Sequence, residues 1–185
     1  KPEDTTIIIP HLNPETEETK FALKHCLESL GETVPEIKKI LALNGEDMVN
    51  LNHIVDTNTT IIYVQDQGQC KAVNAAAATV STPWIFVTND DMVYAPGWFE
   101  KLAKATDFSD TLCVSPVLVE PRKGAPTFIE YFCGGAGGDF DKQKFLEFER
   151  KYQITNLGDR KEGFNLPYLI SKELFKDRLL ATLAA

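Results

Sequence analysis

The sequence predicts an α/β fold with a mainly parallel central sheet flanked by helices. Three observations carry this. Short β-branched or aromatic runs recur along the first half of the chain, each bounded by proline, glycine or polar residues. Stretches with helical periodicity separate most of them, and such alternation puts helices over a parallel sheet. One run, Trp84 to Val87, is unbroken in its apolar character and is followed at once by Asn89, Asp90 and Asp91. It reads as a strand buried on both faces that delivers polar groups to one sheet edge, where open α/β sheets bind ligands.

The elements follow in order. Residues 5–9 form a β-branched run ending at Pro10 and read as the first strand. Asn13 and Pro14 supply an N-cap and a first helical residue, with Glu15, Glu17 and Glu18 near the positive end of the helix dipole. Leu23, Cys26, Leu27 and Leu30 follow an i, i+3, i+4, i+7 pattern that makes one face apolar, and Gly31 provides a stop. Residues 37–43 read as a second strand running into the turn Asn44-Gly45. A polar stretch of weak helical character over 46–56 leads to a third strand at 61–64.

A turn at 65–69 precedes a helix over 70–80 that is rich in small residues, namely Ala72, Ala75, Ala76, Ala77 and Ala78. Small side chains let a helix lie close to a sheet, and alanine has the best helix propensity. Lys71 and Asn74 are the polar exceptions near its start. After the central strand, Pro96 begins a helix with Trp98, Leu102 and Ala105 along one face, and 112–119 reads as a fifth strand interrupted by Pro116. The last third changes character. It reads as an edge strand over 127–133, a flexible loop of Gly134, Gly135, Ala136, Gly137 and Gly138, and a helix from Asp139 or Asp141 to about Tyr152. A polar loop at 156–163, a strand over 164–170 and a helix from Ser171 onward complete it.

Composition narrows the function. At 185 residues the chain reads as one domain, 1–185, able to bury roughly 70% of its unfolded surface. It is 43% hydrophobic and 25% charged, and no apolar run reaches the length of a membrane span. The net charge of −8 disfavours nucleic acid as a partner. An anionic ligand therefore needs local help from a cation, a helix N-terminus or single basic residues. Cys26, Cys70, Cys113 and Cys133 contain no C-x-x-C pair and read as buried free thiols; His11, His25 and His53 have no metal-binding spacing. Adjacent Asp oxygens, by contrast, are hard ligands of the kind Mg²⁺ or Mn²⁺ takes when it also holds a diphosphate. The same Asn-Asp-Asp run also reads as ordinary turn chemistry.

Four segments in order resemble glycosyltransferase family 2 and its GT-A fold. Ile9-Pro10-His11-Leu12-Asn13 is similar to the family's P-x-x-N strand ending, and Leu43-Asn44-Gly45 to the polar end of its second strand. Gln67-Gly68-Gln69-Cys70-Lys71-Ala72-Val73-Asn74 resembles the G-x-x-x-A-x-N helix, and Val87-Thr88-Asn89-Asp90-Asp91 the D-x-D segment. A weaker likeness continues over 166–175. The resemblance implies that Pro10, His11 and Asn13 border a nucleoside, with Asn44 where an acid often bonds the base. Gly68, Lys71 and Asn74 would stand by the diphosphate or sugar. Asp91 would hold Mg²⁺ or Mn²⁺, with Asn89 as a weak or outer ligand and Asp90 shaping the site.

The implied reaction is inverting transfer of a sugar from a nucleoside-diphosphate donor to a hydroxyl of a glycan, lipid-linked or protein acceptor. On this reading 1–108 is the nucleotide-sugar half and 109–185 the acceptor half, incomplete at its C-terminus, in a cytoplasmic or membrane-peripheral protein that flanking segments could anchor. There are departures. Asn89 replaces the first Asp of D-x-D, as in some rhamnosyl- and galactofuranosyl-transferase-like members, and Asn44 replaces the usual acid. No glycine-rich G-F-D-E segment and E-D pair follow Ser171. The catalytic base is therefore open, with Glu130, Asp139 and Asp141 as candidates and helix capping as the ordinary role of both aspartates. A non-catalytic nucleotide-sugar-binding module on the same fold is the alternative. A sugar-phosphate nucleotidyltransferase has a related sheet, but the glycine-rich loop expected after its first strand is missing here.

Overall fold

The computed structural model describes residues 1–12, 16–45, 51, 54–65, 68–107, 113–120, 128–135, 138–151 and 166–176. Its strands are β1 (Thr5–Leu12), β2 (Lys38–Asn44), β3 (Thr59–Val64), β4 (Trp84–Val87), β5 (Cys113–Val114), β6 (Leu118–Glu120), β7 (Phe128–Glu130) and β8 (Tyr168–Ser171). The helices are α1 (Glu17–Thr33), α2 (Gln69–Thr79), α3 (Trp98–Lys104) and α4 (Lys142–Lys151). Six strands form one sheet in the order β3-β2-β1-β4-β8-β5, and β6 pairs with β7 in a separate ribbon. β1 to β4 are mutually parallel, whereas β8 runs antiparallel between β4 and β5. The predicted mixed α/β class, with a mostly parallel sheet flanked by helices, is the one observed.

Each face of the sheet carries its own core. Alternate side chains of a strand point to opposite faces, so Ile7 and Ile9 pack with Leu23, Cys26, Leu27 and Leu30 of α1 and with Phe99 and Leu102 of α3. Ile8, Ile40, Ala42 and Ile85 pack on the other face with Ala72, Val73, Ala76 and Ala77 of α2. The alanines of α2 are the reason that helix sits tightly on β1 and β2. With α1 on one face and α2 on the other, the strand order reverses between β1 and β4, and the crevice at that reversal opens at the C-terminal ends of both strands.

Several boundaries differ from the sequence expectation. β1 runs through Pro10 to Leu12 instead of ending at the proline. Thr88 N donates to Ile8 O at 3.1 Å, so even-numbered residues of β1 turn their backbone groups toward β4. The N–H that Pro10 lacks would point past the end of β4, and nothing in the ladder is lost. α1 begins at Glu17 with Thr16 as its cap, in a reciprocal capping box with Thr19; Asn13 and Pro14 lie outside the described residues. The helix also passes through Gly31 and stops at Val34, which precedes Pro35 and takes φ −143, ψ 57.

The expected fifth strand is two strands, because Pro116 separates β5 in the main sheet from β6 in the ribbon. β7 accordingly pairs with β6 and does not edge the main sheet. Of the four free cysteines, Cys26 and Cys133 are buried, but Cys70 is exposed, since it falls on the outer side of the first turn of α2. The predicted loop at 156–163 lies outside the described residues. Among those described, no helix is long and apolar enough to cross a membrane.

Candidate functional site

Some of the polar residues singled out in the sequence meet at the crevice between β1 and β4. His11 lies on the α1 face of β1, in line with Ile7 and Ile9, and is 1% exposed. Its Nδ1 stands 2.6 Å from Oδ2 of Asp90, which the turn after β4 brings back toward β1. Asn89 sits between them and α2: its Oδ1 accepts from Gln69 Nε2 at 2.8 Å. The first residue of α2 is thus tied to the end of β4.

Asn44, at the end of β2, is buried and anchors the loop into the same helix. Its Oδ1 accepts from Gly68 N at 2.6 Å, and its Nδ2 donates to Val64 O at 3.4 Å. Gly68 adopts φ 132 to make that bond and open α2, a backbone conformation that side chains other than hydrogen rarely allow. The first turn of α2, with Lys71 exposed and Asn74 half-buried, therefore faces the crevice with its N-terminal donors, a geometry favourable to anions. Pro10 is buried in β1, and Asn13 and Gln67 lie outside the described residues.

A second set of bonds fixes the backbone of the turn itself. Cys26 Sγ of α1 donates to Asn89 O at 3.6 Å, and Thr88 Oγ1 donates to the same carbonyl at 3.1 Å. Thr88 also bonds the Tyr94 hydroxyl, and Tyr94 N donates to Ser29 Oγ at 3.2 Å. Burial, with the negative charge of Asp90 added, pushes the Cys26 thiol well above its ordinary range, so it remains a thiol. These supports were not legible beforehand, since Cys26 read as a residue of the apolar helix face and Tyr94 carried no signal of its own.

Asp91 follows with a different environment. It opens to solvent on one side, yet loss of water around the carboxyl, then the adjacent Asp90 and further off Glu120, raise its pKa above the usual carboxylate value. Glu120, at the end of β6, was not among the candidates, and its only sequence signal is a carboxylate closing a short strand. A carboxylate crowded by like charge is one that a cation relieves. Among the described residues, however, no group of three His, Cys, Asp or Glu side chains could hold a metal ion. With the Asn89 amide oxygen already bonded to Gln69, the residues fit a cation held by Asp91 together with phosphate oxygens of a ligand, the mode Mg²⁺ prefers.

Among the described residues, no hydrogen bond or ion pair joins the three candidates for a catalytic base to this cluster. Asp141 Oδ1 accepts from Lys144 N at 2.9 Å and caps α4. Asp139 Oδ1 accepts from Gly135 N at 2.7 Å. Gly134 lies close against the backbone of Asp139: it has φ +93, and a Cβ there would lie 2.0 Å from Asp139 O. Glu130 is exposed on β7.

The order of the sheet, its antiparallel β8 and its polar crevice at the strand reversal define an open α/β domain with a ligand crevice at its strand ends. The profile of glycosyl transferase family 2 matches residues 6–165, and the chain belongs to that family. No curated protein matches the chain.

Solved structures with the same fold include S. aureus TarS 1-349, at 12% identity and TM-score 0.56, covering 95% of this chain and 49% of that one. The 4-diphosphocytidyl-2C-methyl-D-erythritol synthase from Anaerococcus prevotii is 14% identical with TM-score 0.58, over 100% of this chain and 78% of that one. The bifunctional IspDF from Campylobacter jejuni is 13% identical with TM-score 0.54, over 95% and 43%. The chain thus spans less than half the length of IspDF and of TarS.

Proposed function

We propose that this chain is the donor-binding domain of an inverting glycosyltransferase that moves a sugar from a nucleoside diphosphate to an acceptor hydroxyl with the help of Mg²⁺ or Mn²⁺. The observation that carries the reading is the convergence of His11, Asn44, Gln69, Asn89, Asp90 and Asp91 on one crevice at the strand reversal of a family 2 fold. A bound cation would neutralise charge on the departing diphosphate. Asp91 would hold that cation, and Asn89 would support it from its place beside Gln69. The first turn of α2 with Lys71 would face the diphosphate, and Asn74 the sugar. The walls formed by Pro10 and by Asn44 with Gly68 would enclose the nucleoside.

In transfer, the acceptor hydroxyl would attack the anomeric carbon while a carboxylate took its proton and the diphosphate left in line. The engagement of Asp139 and Asp141 in backbone hydrogen bonds favours a second reading, in which this domain binds the donor without catalysing transfer.

Calorimetric titration of UDP, GDP, dTDP and CDP, with and without Mn²⁺, tests the donor site. One nucleotide should bind in a metal-dependent manner, and Asp91→Ala should abolish the metal dependence. Absence of binding under every condition would sink the proposal. Hydrolysis of the matching nucleotide sugar with Mn²⁺ separates the readings, because the binding module would leave it intact.

A further inference from the structure

We propose that His11 is a positioning residue for donor binding, whose buried ring holds the Asp90 carboxylate in one orientation so that Asp90 offers a fixed acceptor to a hydroxyl of the bound nucleoside diphosphate. This rests on the donor-site reading above and adds a role to a residue that the crevice does not expose. The His11 side chain is 0% exposed, while that of Asp90 is 27% exposed. A ring so placed does not touch a ligand lying over the strand ends. Its effect on the ligand passes through the group it holds.

The geometry specifies that group. Nδ1 and Oδ2 are 2.6 Å apart across 79 residues of sequence, at the short extreme of hydrogen bonds to a carboxylate. A carboxylate only accepts, so Nδ1 carries the hydrogen. Asp90 makes no other hydrogen bond among the described residues. One oxygen is therefore committed to the protein interior, which leaves Oδ1 for the solvent side.

Without the imidazole, Asp90 would be a carboxylate on a turn beside a second carboxylate, Asp91, and repulsion would favour orientations that separate them. The bond to His11 selects one of those orientations and holds it. A ligand hydroxyl then meets an acceptor whose side-chain freedom is already lost, and binding is stronger by the cost avoided. The backbone of the turn is held independently by Cys26 and Thr88, so the histidine acts on the side chain of Asp90 and not on the course of the chain.

The test is calorimetry with the nucleoside diphosphate that binds the wild type in Mn²⁺, applied to His11→Phe, His11→Asn, Asp90→Ala and the double variant His11→Phe/Asp90→Ala. His11→Phe keeps the ring and removes the donor; affinity should fall about tenfold, the usual scale for a hydrogen bond to a charged group. His11→Asn places an amide nitrogen near the position of Nδ1 and should recover most of the loss. In the Asp90→Ala background, His11→Phe should cost nothing further, because a positioning residue has nothing left to position.

Wild-type affinity in His11→Phe, or additive losses in the double variant, would overturn the proposal and leave the donor site standing. Failure of the wild type to bind any nucleotide would overturn both. Should His11→Phe not fold, the contrast between His11→Asn and His11→Gln decides, since glutamine reaches toward Nε2: equal affinities overturn the proposal, and weaker binding by His11→Gln supports it.

Discussion

The charge on Asp91 is held less favourably in the folded protein than in water, because burial and then Asp90 and Glu120 raise its pKa. The native state therefore binds that proton more tightly than the unfolded chain does. The contribution of Asp91 to stability is greatest below the unfolded value of 3.8 and falls as pH rises through the folded value. At neutral pH, Asp91→Asn should raise Tm by roughly one or two degrees, with the gain vanishing near pH 3, while metal-dependent nucleotide binding is lost. Thermal melts at the two pH values check this; an unchanged or lower Tm at pH 7 would show that the carboxylate is well accommodated. The Asn-Asp-Asp cluster was legible in sequence because turn chemistry closes a buried strand. Pairing of His11 with Asp90 was not, since local sequence carries no information about a partner 79 positions away.

At the scale of elements, α2 shows how packing places chemistry. Ala72 and Ala76 are fully buried against the sheet, and the close approach they permit puts Gln69 within a hydrogen bond of Asn89. Ala76→Leu should destabilise the protein by about 1–3 kcal/mol through overpacking, read as a lower urea midpoint at unchanged m. It should also weaken nucleotide binding, because the helix start would be pushed from β4. Strand and helix identities were readable from periodicity over most of the first half. Their ends were less so. Pro10 signals a break locally, yet it costs nothing where the neighbouring strand has already ended, and Thr16 competes successfully with Asn13 as a cap by recruiting Thr19 in return.

For the whole molecule, the sheet order decides what can bind. Parallel β1 to β4 bring His11, Asn44, Asn89 and Asp90 to one edge of the sheet, and β8 extends the sheet on the other side of β4 through antiparallel pairing, with β5 beyond it. Among the described residues, the protein supplies no closed set of metal ligands. Mn²⁺ alone should therefore give no binding signal in calorimetry, and metal binding should appear only once a nucleoside diphosphate is present. Saturable Mn²⁺ binding to the chain alone would contradict this account.

The sequence by itself determined the α/β class, the alternation of elements through β4, the polar strand ending at Asn89, Asp90 and Asp91, and the resemblance to family 2. Those are properties of local pattern, set by side-chain type and spacing along a few turns of helix or residues of strand. Only the tertiary structure decided that residues 113–120 divide between two sheets, that β8 inserts between β4 and β5, and that His11 is buried beside Asp90. Each of these depends on which strands become neighbours, and that choice is made by the packing of two cores on opposite faces of the sheet, a long-range contest that short stretches of sequence do not record.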